Sequence, residues 1–288
     1  MARHTTPEAQ KAQAAPASAA APIGVFDSGV GGLSVLQALR RQLPQESLLY
    51  IADSAHAPYG DRPTAYIETR ALALTEHLQQ AGAKAVVVAC NTATVVAVHT
   101  LRQRYALPIV ALEPAIKPAV AASRSGVVGV LATSRTLESA AVQRLRQRHG
   151  GTTRVLGQAC PGLVEQVERG ELDSPATLAL LRSFIEPLLA QGADTLVLGC
   201  THYPFLRTQI QAVAGPGVLV LDSADAVARE VQRRLPTPPC MGPVPSARPQ
   251  DQATQASTRF FTTGNADAAT AVFTRLWGTP VQVHTWQA

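Results

Sequence analysis

At 288 residues the chain has room for one large α/β domain or two of moderate size. With 46% hydrophobic and 16% charged residues it has the composition of an ordinary soluble globular protein. The net charge of +5 comes from Arg scattered along the chain, not from the concentrated stripe that nucleic-acid readout needs, so nucleic acid is not an expected partner. The one local cluster, Arg144, Arg146 and Arg148, reads as a solvated helix face. Four Cys, at 90, 160, 200 and 240, include no Cys-x-x-Cys pair, which argues against a secreted disulfide framework. Residues 1–22, rich in Ala, Pro and Gln, lack the apolar core of a signal peptide and read as a disordered tail. No segment is long enough to cross a bilayer, and the expected compartment is the reducing cytoplasm.

In chain order, Ile23 to Phe26 is a short buried-type strand that runs into Asp27-Ser28-Gly29-Val30-Gly31-Gly32 and a helix from about Leu33 to Arg41. A second strand, Leu48 to Ala52, ends at Asp53, and a loop with Pro58-Tyr59-Gly60 follows. Thr64 is placed to cap a helix whose Ile67, Leu74 and Leu78 recur near the helical period, and Gly82 stops it. The strand before Cys90, a helix through Arg104, a strand at Ile109-Val110 and Glu113-Pro114 come next. Val127 to Leu131 is another strand, leading through Thr133-Ser134 into a helix to about Arg148. Arg154 to Leu156 forms a further strand, and Cys160-Pro161 opens a short helix carrying Glu165 and Glu168. Ser174-Pro175 marks a helix start, cap followed by proline, in a helix that Pro187 is expected to kink. The strand before Cys200, a helix, a strand at Val218–Leu221 and a helix to Leu235 follow. Residues 236–257, with six Pro and no periodicity, read as a flexible excursion before a strand at Arg259–Thr262 and a last helix.

Strand alternating with helix predicts an α/β fold with mainly parallel sheets and right-handed crossovers. One register occurs twice. Ala81 to Ala93 reads Ala-Gly-Ala-Lys-Ala-Val-Val-Val-Ala-Cys-Asn-Thr-Ala, and Gln191 to Tyr203 reads Gln-Gly-Ala-Asp-Thr-Leu-Val-Leu-Gly-Cys-Thr-His-Tyr. Gly82 matches Gly192 and Cys90 matches Cys200, without a gap across either stretch. Two related halves, each presenting a thiol at a strand's carboxyl end, are the expectation. Ligands of such folds bind beyond those ends, where Asp27-Ser28, Asp53, Cys90-Asn91-Thr92, Thr133 and Cys200-Thr201-His202 all fall.

Several chemistries compete for these residues. The glycine turn with Asp53 downstream imitates a dinucleotide fingerprint, but from Gly29 the third glycine position is Ser34, and no Walker-type Gly-Lys-Ser/Thr exists. Those glycines read as serving a tight strand-to-helix turn. Zinc on Cys90, Cys200, His202 and Asp27 lacks the closely spaced ligand pairs of structural sites. A cysteine hydrolase needs one thiol, one His and an oxyanion hole, leaving the second matched thiol without a task. A module that only binds an amino acid is the third class. Cys160 and Cys240 read as small buried hydrophobes.

Two matched thiols are suited to proton transfer on opposite faces of one carbon, one as thiolate and one as thiol. Helix N-termini after Cys90 and Cys200, capped by Asn91 or Thr92 and by Thr201, are expected to lower the thiol pKa from its reference of about 8.5. Asp27 is placed to support Cys90, and His202 with an acid such as Glu168 to support Cys200.

At these residues the sequence resembles the glutamate racemases, of the cofactor-independent amino-acid racemase family. The matching motifs are Phe26-Asp27-Ser28-Gly29-Val30-Gly31-Gly32, Asp53 with Pro58-Tyr59-Gly60, Cys90-Asn91-Thr92-Ala93-Thr94, Glu113-Pro114-Ala115 and Gly199-Cys200-Thr201-His202-Tyr203-Pro204, from about Ile23 to the C-terminus. The resemblance implies interconversion of L- and D-glutamate without pyridoxal phosphate or metal, supplying D-glutamate for peptidoglycan. It implies Cys90 and Cys200 as the acid/base pair, with Glu168 an acid supporting the second thiol. It implies substrate contacts at Asp27, Ser28, Tyr59, Gly60, Asn91, Thr92, Thr133, Thr201 and His202. Two pseudo-symmetric α/β domains with the substrate between them would comprise 23–110 plus 223–288 and 111–222. Dimerisation, and glutamate rather than aspartate, rest on the resemblance alone. His56 stands where an Arg is expected before Pro-Tyr-Gly, and Glu165-Gln166 replaces an apolar pair before Glu168.

Overall fold

The computed structural model describes residues 20–235 and 256–286. Cys240, most of the Pro-rich excursion and most of the N-terminal tail lie outside them. In chain order the strands are β1 (Ile23–Asp27), β2 (Leu48–Ala52), β3 (Ala85–Val88), β4 (Ile109–Ala111), β5 (Val127–Ala132), β6 (Arg154–Ala159), β7 (Thr195–Leu198), β8 (Leu219–Leu221), β9 (Thr258–Thr262) and β10 (Val283–Thr285). They form two all-parallel sheets, one ordered β10-β9-β2-β1-β3-β4 and the other β6-β5-β7-β8. Helices flank both, giving the two-unit α/β architecture that alternating strands and helices predict.

The central strands explain why the repeat reads as it does. In the first sheet β3 pairs with β1, and the Ala89 amide still donates to the Phe26 carbonyl at 2.8 Å, just before Cys90. In the second, β7 pairs with β5, and the Gly199 amide donates to Leu131 at 2.7 Å, just before Cys200. The matching glycines take left-handed backbone, Gly82 at φ +80 and Gly192 at φ +91, and release each chain from its helix toward the strand. Val86, Val87 and Val88, like Leu196 and Val197, are fully buried. Each such side chain stabilises the fold by about 1.5–3 kcal/mol relative to exposure. The two strands are thereby held rigidly, and so are the thiols at their ends.

The helices are α1 (Leu33–Gln42), α2 (Thr64–Gln80), α3 (Asn91–Arg104), α4 (Ile116–Ala122), α5 (Ser134–Glu138), α6 (Ala140–Gly150), α7 (Leu163–Glu168), α8 (Pro175–Ala190), α9 (Arg207–Ala214), α10 (Ala224–Arg234) and α11 (Ala266–Trp277). Several depart from the reading above. Thr64 is the first helical residue of α2, and Pro63 holds the cap position without a side-chain bond. Helix α4 is absent from the expectation; its Pro118 falls in the first turn, where no intrahelical donor is lost. The single helix expected after β5 is two, divided at Ser139, whose hydroxyl caps α6 by accepting from the Val142 amide at 3.2 Å. Helix α8 runs through Pro187 to Ala190 without a break in its assignment. The edge strand β10 is too short to carry an alternating pattern.

Candidate active site

Strand β1 delivers Asp27, fully buried, to the carboxyl edge of the first sheet. The Ser28 amide donates to one carboxylate oxygen of Asp27 at 2.6 Å, while the Gly32 amide and the Thr201 hydroxyl (3.1 Å) donate to the other. Asp27 therefore joins the glycine loop of the first half to the Cys200 loop of the second. Burial raises its pKa above the usual 3.8, against the lowering influence of His202, the Cys90 thiol and the Ser28 amide.

Cys90 is itself the N-cap of α3, its sulfur accepting from the Ala93 amide at 3.4 Å. The cap expected at Asn91 or Thr92 is thus the thiol. Its proton points to the Ser28 hydroxyl, 3.7 Å away. The expected lowering of this thiol's pKa does not occur. Burial pushes it well above its ordinary value and Asp27 adds to that, outweighing the Ala93 amide and the Ser28 hydroxyl. A helix N-terminus stabilises a thiolate, but a site closed to water penalises the charge more.

Cys200 is followed by a turn and a single 3-10 stretch, Tyr203–Leu206, before α9 begins at Arg207, so no α-helix N-terminus faces it. Its partner is His202. Nδ1 lies 3.7 Å from the Cys200 sulfur and Nε2 lies 2.6 Å from Glu168 Oε1. Burial works against a charge on this ring, but hydrogen bonds and charge from Cys200 and Glu168 raise its pKa well above 6.5. The same Glu168 oxygen accepts from the Val30 amide of the first half at 2.8 Å.

This contact gives the glycine loop a purpose that sequence reading missed. Gly29, Gly31 and Gly32 do not have positive φ, so turn geometry does not require glycine. A Cβ on Gly29 would lie 1.8 Å from Glu168 Oε1, and one on Gly31 2.3 Å from His202 Nδ1. The glycines let the first half close onto the His202–Glu168 pair of the second. The loop's amides also bind carboxylates, Ser28 and Gly32 to Asp27 and Val30 to Glu168, and none of these three is free to cradle a phosphate.

From the first half, Ser28, Tyr59, Gly60, Cys90, Asn91 and Thr92 line a single pocket; from the second, Thr133, Val164, Cys200, Thr201 and His202 complete it. Asp27 and Glu168 stand one layer back, behind Cys90 and His202. The two thiols thus share one pocket, and each is slightly exposed, at 4% and 7%. Thr92 and Thr133 meet across it at 3.1 Å. Asn91, one of the lining residues, has a buried Nδ2 without a hydrogen-bond partner. The free space is about 20 Å³, enough for one water molecule and too small for an amino acid. Among the described residues no group of three His, Cys, Asp or Glu is placed to hold a metal ion, and no helix is long and apolar enough to cross a membrane. Cys160 is buried as expected, beside Cys200 and Tyr203.

The sequence profile of Asp/Glu/hydantoin racemases matches residues 23–231. The chain belongs to this racemase family. As a racemase it is an isomerase, and its relatives agree on the branch. A glutamate racemase of Ectopseudomonas mendocina is 51% identical over 92% of this chain and 97% of its own length. One from Methylococcus capsulatus is 58% identical over 74% of this chain and 79% of its own. Among solved structures, a glutamate racemase isoform of Bacillus anthracis superposes with a TM-score of 0.79 at 31% identity, covering 93% of this chain and 97% of that one. The Escherichia coli glutamate racemase does so at 0.78 and 30% identity, covering 92% and 97%. The chain therefore shares the fold of these racemases.

Proposed function

We propose that the protein interconverts L- and D-glutamate by two-base proton transfer between Cys90 and Cys200, supplying D-glutamate for peptidoglycan synthesis in the cytoplasm. The observation that carries this is the pocket into which each half sends one thiol. In support, the Escherichia coli relative was crystallised with L-glutamate and the Francisella tularensis relative with D-glutamate. We also read the chain as two domains, 23–110 plus 223–288 and 111–222, each contributing one sheet and one sulfur.

The chemistry follows from the placement. Removal of the α-proton by one sulfur leaves a planar carbanion, and delivery of a proton from the opposite sulfur inverts the centre. Cys90, held as a thiol by burial and by Asp27, is the proton donor of the resting form. The imidazolium of His202 beside Cys200 is the charge partner that a thiolate base needs, and Glu168 fixes that ring's orientation. The reverse direction exchanges the roles. The unpaired amide of Asn91, with the Thr92 hydroxyl beside it, is the donor available to a substrate carboxylate, while the hydroxyls of Ser28, Thr133 and Thr201 already donate to Asp27 or Thr136. The pocket, about 20 Å³, has to widen for glutamate to enter, and closing over it again expels water.

Optical rotation followed from L-glutamate, then D-glutamate, then aspartate, with no cofactor added, tests this reading. Racemisation of both glutamate enantiomers with aspartate inert is the expected result. Binding without any change of rotation over hours would overturn it, as would a thioester trapped on a single Cys.

A further inference from the structure

The Tyr59–Gly60 segment lines the pocket, but the Tyr59 hydroxyl does not serve it. That hydroxyl donates to Asp53 Oδ2 at 2.5 Å. Asp53 follows β2 and is fully buried. A bare carboxylate there would be costly, and Arg70 of α2 meets it with a two-pronged grip, Nε to Oδ2 at 3.0 Å and Nη2 to Oδ1 at 2.8 Å. His56, which stands where the family resemblance leads one to expect Arg, sits 3.9 Å from the same carboxylate and bonds Tyr66 through its other nitrogen. The guanidinium on Asp53 is therefore supplied by the helix and not by the loop.

Arg70 is in turn seated from outside. Its guanidinium carbon lies 5.7 Å from the ring centroid of Trp286, within cation–π range. Trp286 is 7% exposed, packs edge-on against His77 at 5.0 Å, and is anchored by its amide to the Thr262 carbonyl at 2.7 Å. A chain of contacts thus runs from the residue after β10 through α2 to the pocket: Trp286, Arg70, Asp53, Tyr59.

We propose that Arg70, held by Trp286, is a positioning residue that fixes the Tyr59–Gly60 loop for substrate binding. This rests on the glutamate racemase reading above. Tyr59 and the side-chain-free Gly60 line the pocket while the Tyr59 hydroxyl is bonded to Asp53, so the placement of the loop, and not a Tyr59 hydroxyl on the substrate, is what the ion pair sets. Arg70 touches neither thiol, and its influence belongs in ground-state binding more than in proton transfer. Lys would keep the charge but lose the fork that fits both carboxylate oxygens.

Steady-state kinetics of the full chain in both directions test the proposal, with wild type measured first. For Arg70→Lys and Trp286→Ala, KM for each glutamate enantiomer is expected to rise about tenfold while kcat changes by less than about threefold, the pattern of lost uniform binding. Trp286→Phe, which keeps a ring over the guanidinium, is expected to restore most of the affinity. A lower melting temperature with unchanged KM would make the network structural only and overturn the proposal, as would a fall in kcat at unchanged KM. If wild type does not racemise glutamate, the functional reading fails; if it does and the variants keep its KM, the positioning role fails alone. Should Arg70→Lys not fold, Trp286→Ala carries the test.

Discussion

Gly31→Ala is a single-methyl probe of how the two halves fit. The new Cβ would lie 2.3 Å from Nδ1 and 2.6 Å from Cε1 of His202. Ordinary carbon contacts begin near 3.5 Å, so His202 or the loop must yield by about 1 Å. The backbone itself tolerates alanine, since its φ is not positive, and the whole effect is steric. His202 is 2% exposed and pinned by Glu168, so it has little room to retreat. A misplacement of about 1 Å at a reacting centre costs about a hundredfold in rate, equivalent to about 2.7 kcal/mol of transition-state stabilisation. Overpacking also costs about 1–3 kcal/mol of stability, which lowers Tm by about 2–4 °C per kcal/mol in a chain of this size. Polarimetry from each glutamate enantiomer, with a melting curve, reads both. Gly217→Ala is the control, since a Cβ there meets nothing within 4 Å. If Gly31→Ala kept wild-type kcat and Tm, the close fit of the glycine loop onto His202 would be wrong.

Tyr50→Phe removes the hydroxyl that donates to the Gly29 carbonyl at 2.6 Å in a fully buried setting. Chemical denaturation should show a loss of about 1–3 kcal/mol, the penalty of leaving that carbonyl unpaired, and an unchanged midpoint would argue against the contact. The pH dependence has a definite sign. His202 has a folded pKa raised above 6.5, so its stabilising contribution is complete below 6.5 and is lost as pH rises through the higher folded value. The raised thiol of Cys90 acts in the same direction at alkaline pH, where the unfolded thiol ionises first. Melting temperature should therefore fall from neutral to alkaline pH more steeply in wild type than in His202→Gln, and parallel curves would contradict the assignment.

Much of this architecture was legible in the residues. The paired Gly-strand-Cys register gave both sulfurs, and apolar runs such as Val86-Val87-Val88 gave strands buried on both faces. Most of the polar residues read at the strand ends, Ser28, Cys90, Asn91, Thr92, Thr133, Cys200, Thr201 and His202, line one pocket. What escaped depended on contacts between segments distant in sequence. No local pattern shows that Gly31 faces His202, that the Val30 amide meets Glu168, or that Arg70 rather than a loop residue clamps Asp53. The direction of the Cys90 pKa shift escaped for the same reason: the helix terminus is local and visible, whereas burial is a property of the closed fold. Helix α4 and the division before α6 also escaped, since Pro118 in a first turn and Ser139 at a cap take their meaning from where the helix begins.

The central claim is that two sulfurs act on opposite faces of one carbon, and Cys90→Ala and Cys200→Ala test it most directly. Interconversion of L- and D-glutamate, followed by circular dichroism alongside a check that each variant is folded, should be abolished in both. Substantial racemisation by either folded variant would contradict the account.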